Sequence, residues 1–394
     1  MGVVIVGASL AGLRTAEALR ARGFGEPITL VGAESELPYD RPPLSKEYLA
    51  QGDPPSIPLL RAADDFDELN VELRLGTRAT ALDLERHVIS LADGDEMPYD
   101  TLVIATGANA RTLPLGAGLD GLRTLRTLVD AELLRADLDR RPRVAVLGGG
   151  FIGAEVAAAA RNRGLDVDLV ELLPAPMSGA LGTQVGQLLG QLHSDNGVSL
   201  RCGVTVTQVL GDQRVEMIEL SDGTRLDADV VVMGLGVIPA TEWLQSSGLD
   251  VTNGVACDDT LRAVGRSDIY AAGDVARWTH PIFEESVRVE HWTNANEHAD
   301  IVASSIMGDS KVAGGVPYVW SDQYDRKIQI VGRPAPGDDL TVVEDHSDGR
   351  HVAVYERAGR VVGMLTIGSP RTMLKGRRAI AAGTSASDLV ASLS

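Results

Sequence analysis

Val3-Val4-Ile5-Val6-Gly7-Ala8-Ser9-Leu10-Ala11-Gly12 opens the chain, and Val144-Ala145-Val146-Leu147-Gly148-Gly149-Gly150-Phe151-Ile152-Gly153 repeats its plan in the middle. Each stretch is an apolar run suited to a buried strand, then a glycine-rich turn, then a helix. That order aims the helix N–H groups and the positive end of its dipole at a pyrophosphate. One such stretch marks a dinucleotide site. Two in one chain imply two dinucleotides and electron traffic between them. Residues 3–34 and 144–171 form the internal repeat, and they predict an α/β chain with two Rossmann-type domains, the second inserted into the first.

The two copies differ in detail. In the first, Gly7 permits the tight turn and Gly12 lets the helix approach the strand, while Ser9 replaces the usual middle glycine. A serine still offers its N–H to a phosphate, but its Cβ crowds the approach. Glu34 falls where a carboxylate accepts hydrogen bonds from a ribose. The second copy, Gly148-x-Gly150-x-x-Gly153, is complete, and its strand-end acid is Glu171. That acid favours the free 2′-hydroxyl of NADH and repels the 2′-phosphate of NADPH. Leu172-Leu173-Pro174-Ala175 supply no basic residue after it, which further disfavours NADPH and weakens the grip on adenosine.

Length and composition bound the rest. A chain of 394 residues divides into two or three domains, and 43 glycines with only 4% aromatics suit a turn-rich α/β protein. No apolar run reaches the roughly 18 residues of a membrane span, and the N-terminus has no basic region to mark a secretion signal. Cys202 and Cys257 form no CxxC, which predicts a reducing cytoplasm and argues against thiol chemistry. A net charge of −19 excludes nucleic acid and anionic membrane as partners. The charge is uneven: the tail 313–394 is near neutral and holds the sharpest basic cluster, Arg371 to Arg378.

Between the motifs, Pro38-Tyr39-Asp40-Arg41-Pro42-Pro43 forces a rigid excursion before a helix beginning at Ser45-Lys46. Strands are predicted within 71–91, 99–105, 198–207, 214–220 and 229–234, with Asp222-Gly223 as a hairpin turn. Ile269 to Asp274 reads as a strand ending in a turn, and 293–307 as an amphipathic helix. Beyond Gly314-Gly315, strands at 329–331, 341–344, 351–357 and 361–367 and a helix near 370–382 predict a separate α+β domain. Glu155 reads as an acid in the first turn of its helix, where the dipole stabilises it.

Pro38-Tyr39-Asp40-Arg41-Pro42-Pro43-Leu44-Ser45-Lys46, Ala105-Thr106-Gly107, Leu125-Arg126-Thr127, Gly148 to Glu155, Ala272-Gly273-Asp274, Glu290-His291-Trp292 and Trp320-Ser321-Asp322-Gln323 together make the whole chain resemble the oxygenase-coupled NADH:ferredoxin reductases, FAD proteins of the glutathione-reductase fold. The resemblance implies an FAD domain (1–110 and 234–312), an NADH domain (111–233) and a C-terminal α+β domain (313–394). It assigns Gly7, Ser9, Gly12, Glu34, Arg41, Lys46, Ala79, Ala105, Thr106, Gly107, Arg126, Asp274, Glu290, His291 and Trp292 to FAD. Gly148, Gly150, Phe151, Ile152, Gly153, Glu155, Glu171 and Gly236 fall to the nicotinamide dinucleotide. Lys46 lies near flavin N5 in that family and pairs with the acid matching Glu155, and Trp320 matches an aromatic beside flavin and nicotinamide.

Relatives that reduce disulfides or peroxide place a cysteine after the first helix or near the position of Leu44-Ser45, and this sequence has none there. Electrons taken from NADH would therefore leave singly, to a [2Fe-2S] ferredoxin serving a cytochrome P450 or Rieske oxygenase. Such ferredoxins are acidic, so docking needs a local positive patch, for which Arg288, Lys311, Arg371, Lys375, Arg377 and Arg378 are the candidates. Rubredoxin reduction, NADH oxidase activity and a redox-sensing NADH-binding flavoprotein are the alternative readings. A cytoplasmic monomer or weak dimer is expected.

Overall fold

A computed structural model describes residues 2–53, 55–309, 311–345 and 350–393. The α-helices among them are α1 (Leu10–Ala21), α2 (Asp64–Leu69), α3 (Leu128–Asp139), α4 (Phe151–Asn162), α5 (Ser178–Asp195), α6 (Trp292–Ile306), α7 (Pro370–Ala382) and α8 (Ala386–Leu393). The chain divides into two compact units, one of residues 1–40, 57–109 and 238–319, the other of 41–56, 110–237 and 320–394.

The first unit is built on a five-stranded sheet in the order Ile269–Ala271, Thr101–Ile104, Val3–Val6, Ile28–Val31, Val71–Arg74. Every pair in it is parallel. Val3–Val6 is buried throughout, sharing one core with residues of α1, α6 and the antiparallel strands Ala79–Asp83 and Val88–Leu91, which is why the sequence there is unbroken Val and Ile. Ala79–Asp83, Val88–Leu91 and Glu96–Pro98 form an antiparallel meander beside it.

The second unit contains a five-stranded parallel sheet in the order Ser199–Cys202, Val167–Glu171, Val144–Leu147, Val230–Met233, Leu122–Arg123. Val206–Leu210, Met217–Leu220 and Arg225–Asp227 make an antiparallel meander, with the hairpin turn at Asp222-Gly223 as read from the sequence. A third sheet of five strands runs Tyr318–Gln323, Arg326–Gly332, Arg360–Ile367, His351–Arg357, Asp339–Asp345 and carries α7 on one face. Gly376 sets how closely α7 lies: a Cβ there would stand 2.6 Å from Met364 Sδ.

Two sequence expectations need correction. Ser45-Lys46 does not start an α-helix; Lys46 separates two single 3-10 turns, Pro42–Ser45 and Glu47–Leu49. Glu155 lies beyond the first turn of α4, which contains no acid. Residues 41–56 cluster with the second unit. Arg135 of α3 donates to the carbonyls of Tyr48, Ala50 and Gly52, and Arg163 to those of Leu49 and Ala50, so two buried guanidiniums fasten the segment to the second unit. Helix α5 was absent from the sequence reading because Gly179, Gly182, Gly186 and Gly190 depress its helix propensity. Two of those glycines allow close packing instead: a Cβ at Gly186 would stand 2.7 Å from Pro176 O, and one at Gly190 3.0 Å from Leu200 Cδ2.

Candidate functional site

In the first unit Gly7 turns the chain out of its strand with φ +123°, and a Cβ there would stand 2.1 Å from Ala105 O. Gly12 is equally forced, since its Cβ would stand 1.9 Å from Gly7 O. Ser9 is the N-cap of α1 with extended backbone, φ −122°, a conformation open to any residue, which explains how serine replaces glycine there. Glu34 follows Ile28–Val31 and accepts from the Tyr39 hydroxyl. Ala79 is buried at the start of its strand, and Ala105-Thr106-Gly107 continues Thr101–Ile104. Thr106 Oγ1 donates to Ala240 O at 2.8 Å, and Gly107 O accepts from Ala240 N–H at 3.0 Å.

Asp274 sits in a single turn, Gly273–Val275. Gly273, at φ +75°, is pressed against α1: its Cβ would stand 3.0 Å from Ala11 Cβ and 3.8 Å from Ala295 Cβ of α6. The N-termini of α1 and α6 and the Gly-Asp turn thus meet within one unit. His291 is the N-cap of α6, and Trp292, its first residue, donates from Nε1 to Asp40 Oδ1 at 2.7 Å. Glu290 spends its carboxylate on Arg288, 2.6 Å away.

The second unit repeats the cradle. Gly148 has φ +95°, and a Cβ at Gly153 would stand 2.0 Å from Gly148 O. Gly150 is different. It is the N-cap of α4 with φ −76° and ψ −172°, and its Cβ would meet nothing closer than Gly234 O at 4.0 Å. Nothing in the protein demands glycine there, so the bare backbone leaves space for a ligand, whereas at Gly236 the φ of +83° itself favours glycine. Phe151 and Ile152 form the first turn of α4, with Ile152 exposed. Glu171 ends its strand with both oxygens engaged, accepting from Gly149 N–H at 2.7 Å and Leu173 N–H at 2.8 Å, so the acid is fixed against the glycine turn. Both cradles fit a pyrophosphate, since their glycines are dictated either by backbone collision or by open space beside N–H donors.

Also in the second unit, Lys46 Nζ lies 2.8 Å from Glu155 Oε2 and 3.2 Å from Pro42 O. Glu155 is only 3% exposed. Its other partners, missed in the sequence reading, are the Ser45 and Ser321 hydroxyls and Asp322 N–H. Arg41 donates to Arg126 O, and Arg126 N–H donates to Asp130 of the α3 capping box. Trp320 lies in Tyr318–Gln323 beside Ser321, so the two side chains leave opposite faces of the strand. Neither cysteine is a candidate thiolate: burial pushes Cys257 up to about 12, and burial also raises Cys202.

The docking candidates separate. Arg288, with a side chain 11% exposed, pairs with Glu290 and donates to Asp274 O and Asn253, so it is a tether and not a surface cation. Lys311 pairs with Asp300. On α7, Arg371, Lys375, Arg377 and Arg378 are all exposed. Among the described residues Lys375 Nζ donates to Ser392 O, and Arg371, Arg377 and Arg378 meet no carboxylate.

Two glycine cradles and a lysine paired with a buried carboxylate define a two-dinucleotide oxidoreductase. The family of pyridine nucleotide-disulphide oxidoreductases matches residues 1–299, and the reductase C-terminal family matches 318–391. The ferredoxin–NAD(+) reductase component of the anthranilate 1,2-dioxygenase system of Burkholderia cepacia is 40% identical over 96% of this chain and 94% of its own. Rhodocoxin reductase of Rhodococcus erythropolis is 38% identical over 97% and 90%. Putidaredoxin reductase, solved in its covalent complex with putidaredoxin, superposes with a TM-score of 0.92 at 34% identity over 97% and 93%. The chain belongs to the pyridine nucleotide-disulphide oxidoreductases, in their ferredoxin–NAD(+) reductase branch.

Proposed function

We infer that this protein is an FAD-containing NADH:ferredoxin reductase that feeds an oxygenase. The observation that carries the reading is the pair of glycine cradles, the first with Ser9 in place of its middle glycine, in a chain whose two cysteines burial disfavours as thiolates. When bound, FAD supplies a hydride acceptor at N5 that returns two electrons singly, so one NADH reduces two ferredoxins and releases one proton.

The chain's own residues do the binding and orienting. Gly7, Ser9 and the α1 N-terminus take the FAD pyrophosphate, Glu34 the ribose, and Asp274 the ribityl side, near enough to α1 to act on the same ligand. Arg41, Ala79, Ala105, Thr106, Gly107 and Arg126 are proposed flavin contacts, as is the segment 290–292 by its backbone, since Glu290 is paired elsewhere. The dipole of α6 favours negative charge at its N-terminus. Gly148, Gly150, Gly153 and Gly236 leave room for NADH, Phe151 and Ile152 offer N–H groups, and the fixed Glu171 selects the free 2′-hydroxyl. Lys46, held by Glu155, puts a cation where reduction adds negative charge, and Trp320 orders the nicotinamide.

The ferredoxin meets α7, whose uncompensated arginines suit an acidic partner on a protein otherwise strongly negative. A cytoplasmic setting belongs to the same proposal. The test is to record the flavin spectrum, titrate with NADH and NADPH, and offer a [2Fe-2S] ferredoxin, a rubredoxin and oxygen. Bleaching by NADH with fast reduction of ferredoxin is expected. A colourless protein, or faster turnover with rubredoxin or oxygen, refutes the assignment.

A further inference from the structure

Behind Glu155 lies a run of buried polar side chains that nucleotide binding leaves without a task. Ser321, fully buried, donates from Oγ to Glu155 Oε1 at 2.8 Å and accepts from Gln323 Nε2 at 3.1 Å. His193 of α5 is also fully buried, with Nδ1 2.9 Å from the Tyr324 hydroxyl. Burial pushes His193 down to about 4, so the ring is neutral. His193 Nε2 and Gln323 Oε1 are both buried with no hydrogen-bond partner among the described residues. The hydrogen bonds that reach the carboxylate therefore run from Gln323 to Ser321 to Glu155. Donors aligned in one direction polarise one another and favour negative charge at the end of the chain.

We propose that Ser321, backed by Gln323, is the positioning residue that holds the Glu155 carboxylate facing Lys46 and thereby sets the flavin potential. The proposal rests on the reading that Lys46 stands beside flavin. The other charged groups on elements packed against Glu155 are committed elsewhere. Asp322 lies 3.8 Å from Lys327, Arg41 donates to Arg126 O, Arg135 and Arg163 are turned to the carbonyls of 48–52, and Glu47 is exposed. Lys46, the two serine hydroxyls and Asp322 N–H therefore hold this carboxylate.

In Ser321→Ala the carboxylate loses one of its hydrogen bonds and is no longer held in place against Lys46, so the charge facing the flavin changes and its potential moves. The experiment is spectroelectrochemical measurement of the flavin potential of the holoenzyme at fixed pH, with a parallel NADH binding curve. Ser321→Ala is expected to shift the potential, Ser321→Thr to restore the wild-type value, and NADH affinity to stay within about twofold. A folded, flavin-loaded Ser321→Ala whose potential matches wild type overturns the proposal. Should that variant not fold, Gln323→Leu, which removes the donor to Ser321, is read by the same criterion with a smaller shift. A wild-type protein that takes up no flavin overturns both this inference and the functional reading, whereas normal bleaching by NADH with an unchanged potential in the variants overturns this inference alone.

Discussion

Replacing Gly150 by alanine separates ligand binding from folding. The added methyl meets no protein atom within ordinary contact, its nearest neighbour being Gly234 O at 4.0 Å, and the residue's extended backbone suits alanine. Two small stability terms oppose each other: alanine is the poorer N-cap, but it removes entropy from the unfolded chain, each worth about 0.5 to 1 kcal/mol. Unfolding should therefore hardly move. In the proposed coenzyme site the methyl would stand where the pyrophosphate approaches the backbone, and displacing one charge-assisted hydrogen bond costs about 1.5 to 3 kcal/mol, roughly a ten- to 150-fold loss of NADH affinity. Gly153→Ala is the control. Its Cβ would stand 2.0 Å from Gly148 O, so α4 must retreat by more than an ångström, and a cost of several kcal/mol appears in unfolding itself. The assays are thermal unfolding by circular dichroism, flavin content by absorbance, and the NADH dependence of flavin bleaching. If Gly150→Ala kept wild-type NADH affinity with unchanged unfolding, or lost as much stability as Gly153→Ala, the assignment of that space to the coenzyme would be wrong.

Glu171→Ala should cut kcat/KM for NADH about tenfold and raise relative use of NADPH, because it removes both the ribose acceptor and the brace on Gly149 N–H; an unchanged coenzyme ratio contradicts this role. Arg371→Glu with Arg377→Glu should raise KM for ferredoxin and weaken its salt dependence while leaving NADH-driven bleaching intact, and steady-state rates across ionic strength decide it. Acid should destabilise the fold early. Burial lowers His193 to about 4 and His298 to about 3, below the ordinary value of 6.5, so the unfolded chain takes up these protons first. Their contribution is complete above about pH 6.5 and is lost as pH falls toward the folded values, at up to about 1.4 kcal/mol per pH unit for each histidine. Urea midpoints that stay flat between about pH 7 and 5, above the carboxylate range, contradict that expectation.

What the sequence makes legible is local. Val3–Val6 and Val144–Leu147 declare themselves because a strand covered on both faces has no polar alternation to obscure it. The strands His351–Arg357 and Arg360–Ile367 and helix α7 fall within a residue or two of their predicted bounds. Partnerships across long separations are not legible. Ser45 and Ser321 reach Glu155 from 110 and 166 residues away, and a serine carries no periodic or charge signature to announce it. Trp320 drew the eye to its tetrapeptide, but the next residue holds the carboxylate. Arg288 failed as a docking cation for the same reason, since only the fold brings Glu290, Asn253 and Asp274 O within its reach.

The strand Ile269–Ala271 pairs with Thr101–Ile104, and all of the second parallel sheet is made in the interval between them. On a ribosome the first sheet must wait, with its Thr101–Ile104 edge bare, until that late strand and α6 emerge. Because Asp274 and the 290–292 segment, both proposed flavin contacts, arrive in the same late stretch, the proposed berth is incomplete on the nascent chain, and flavin capture would fall near the end of translation.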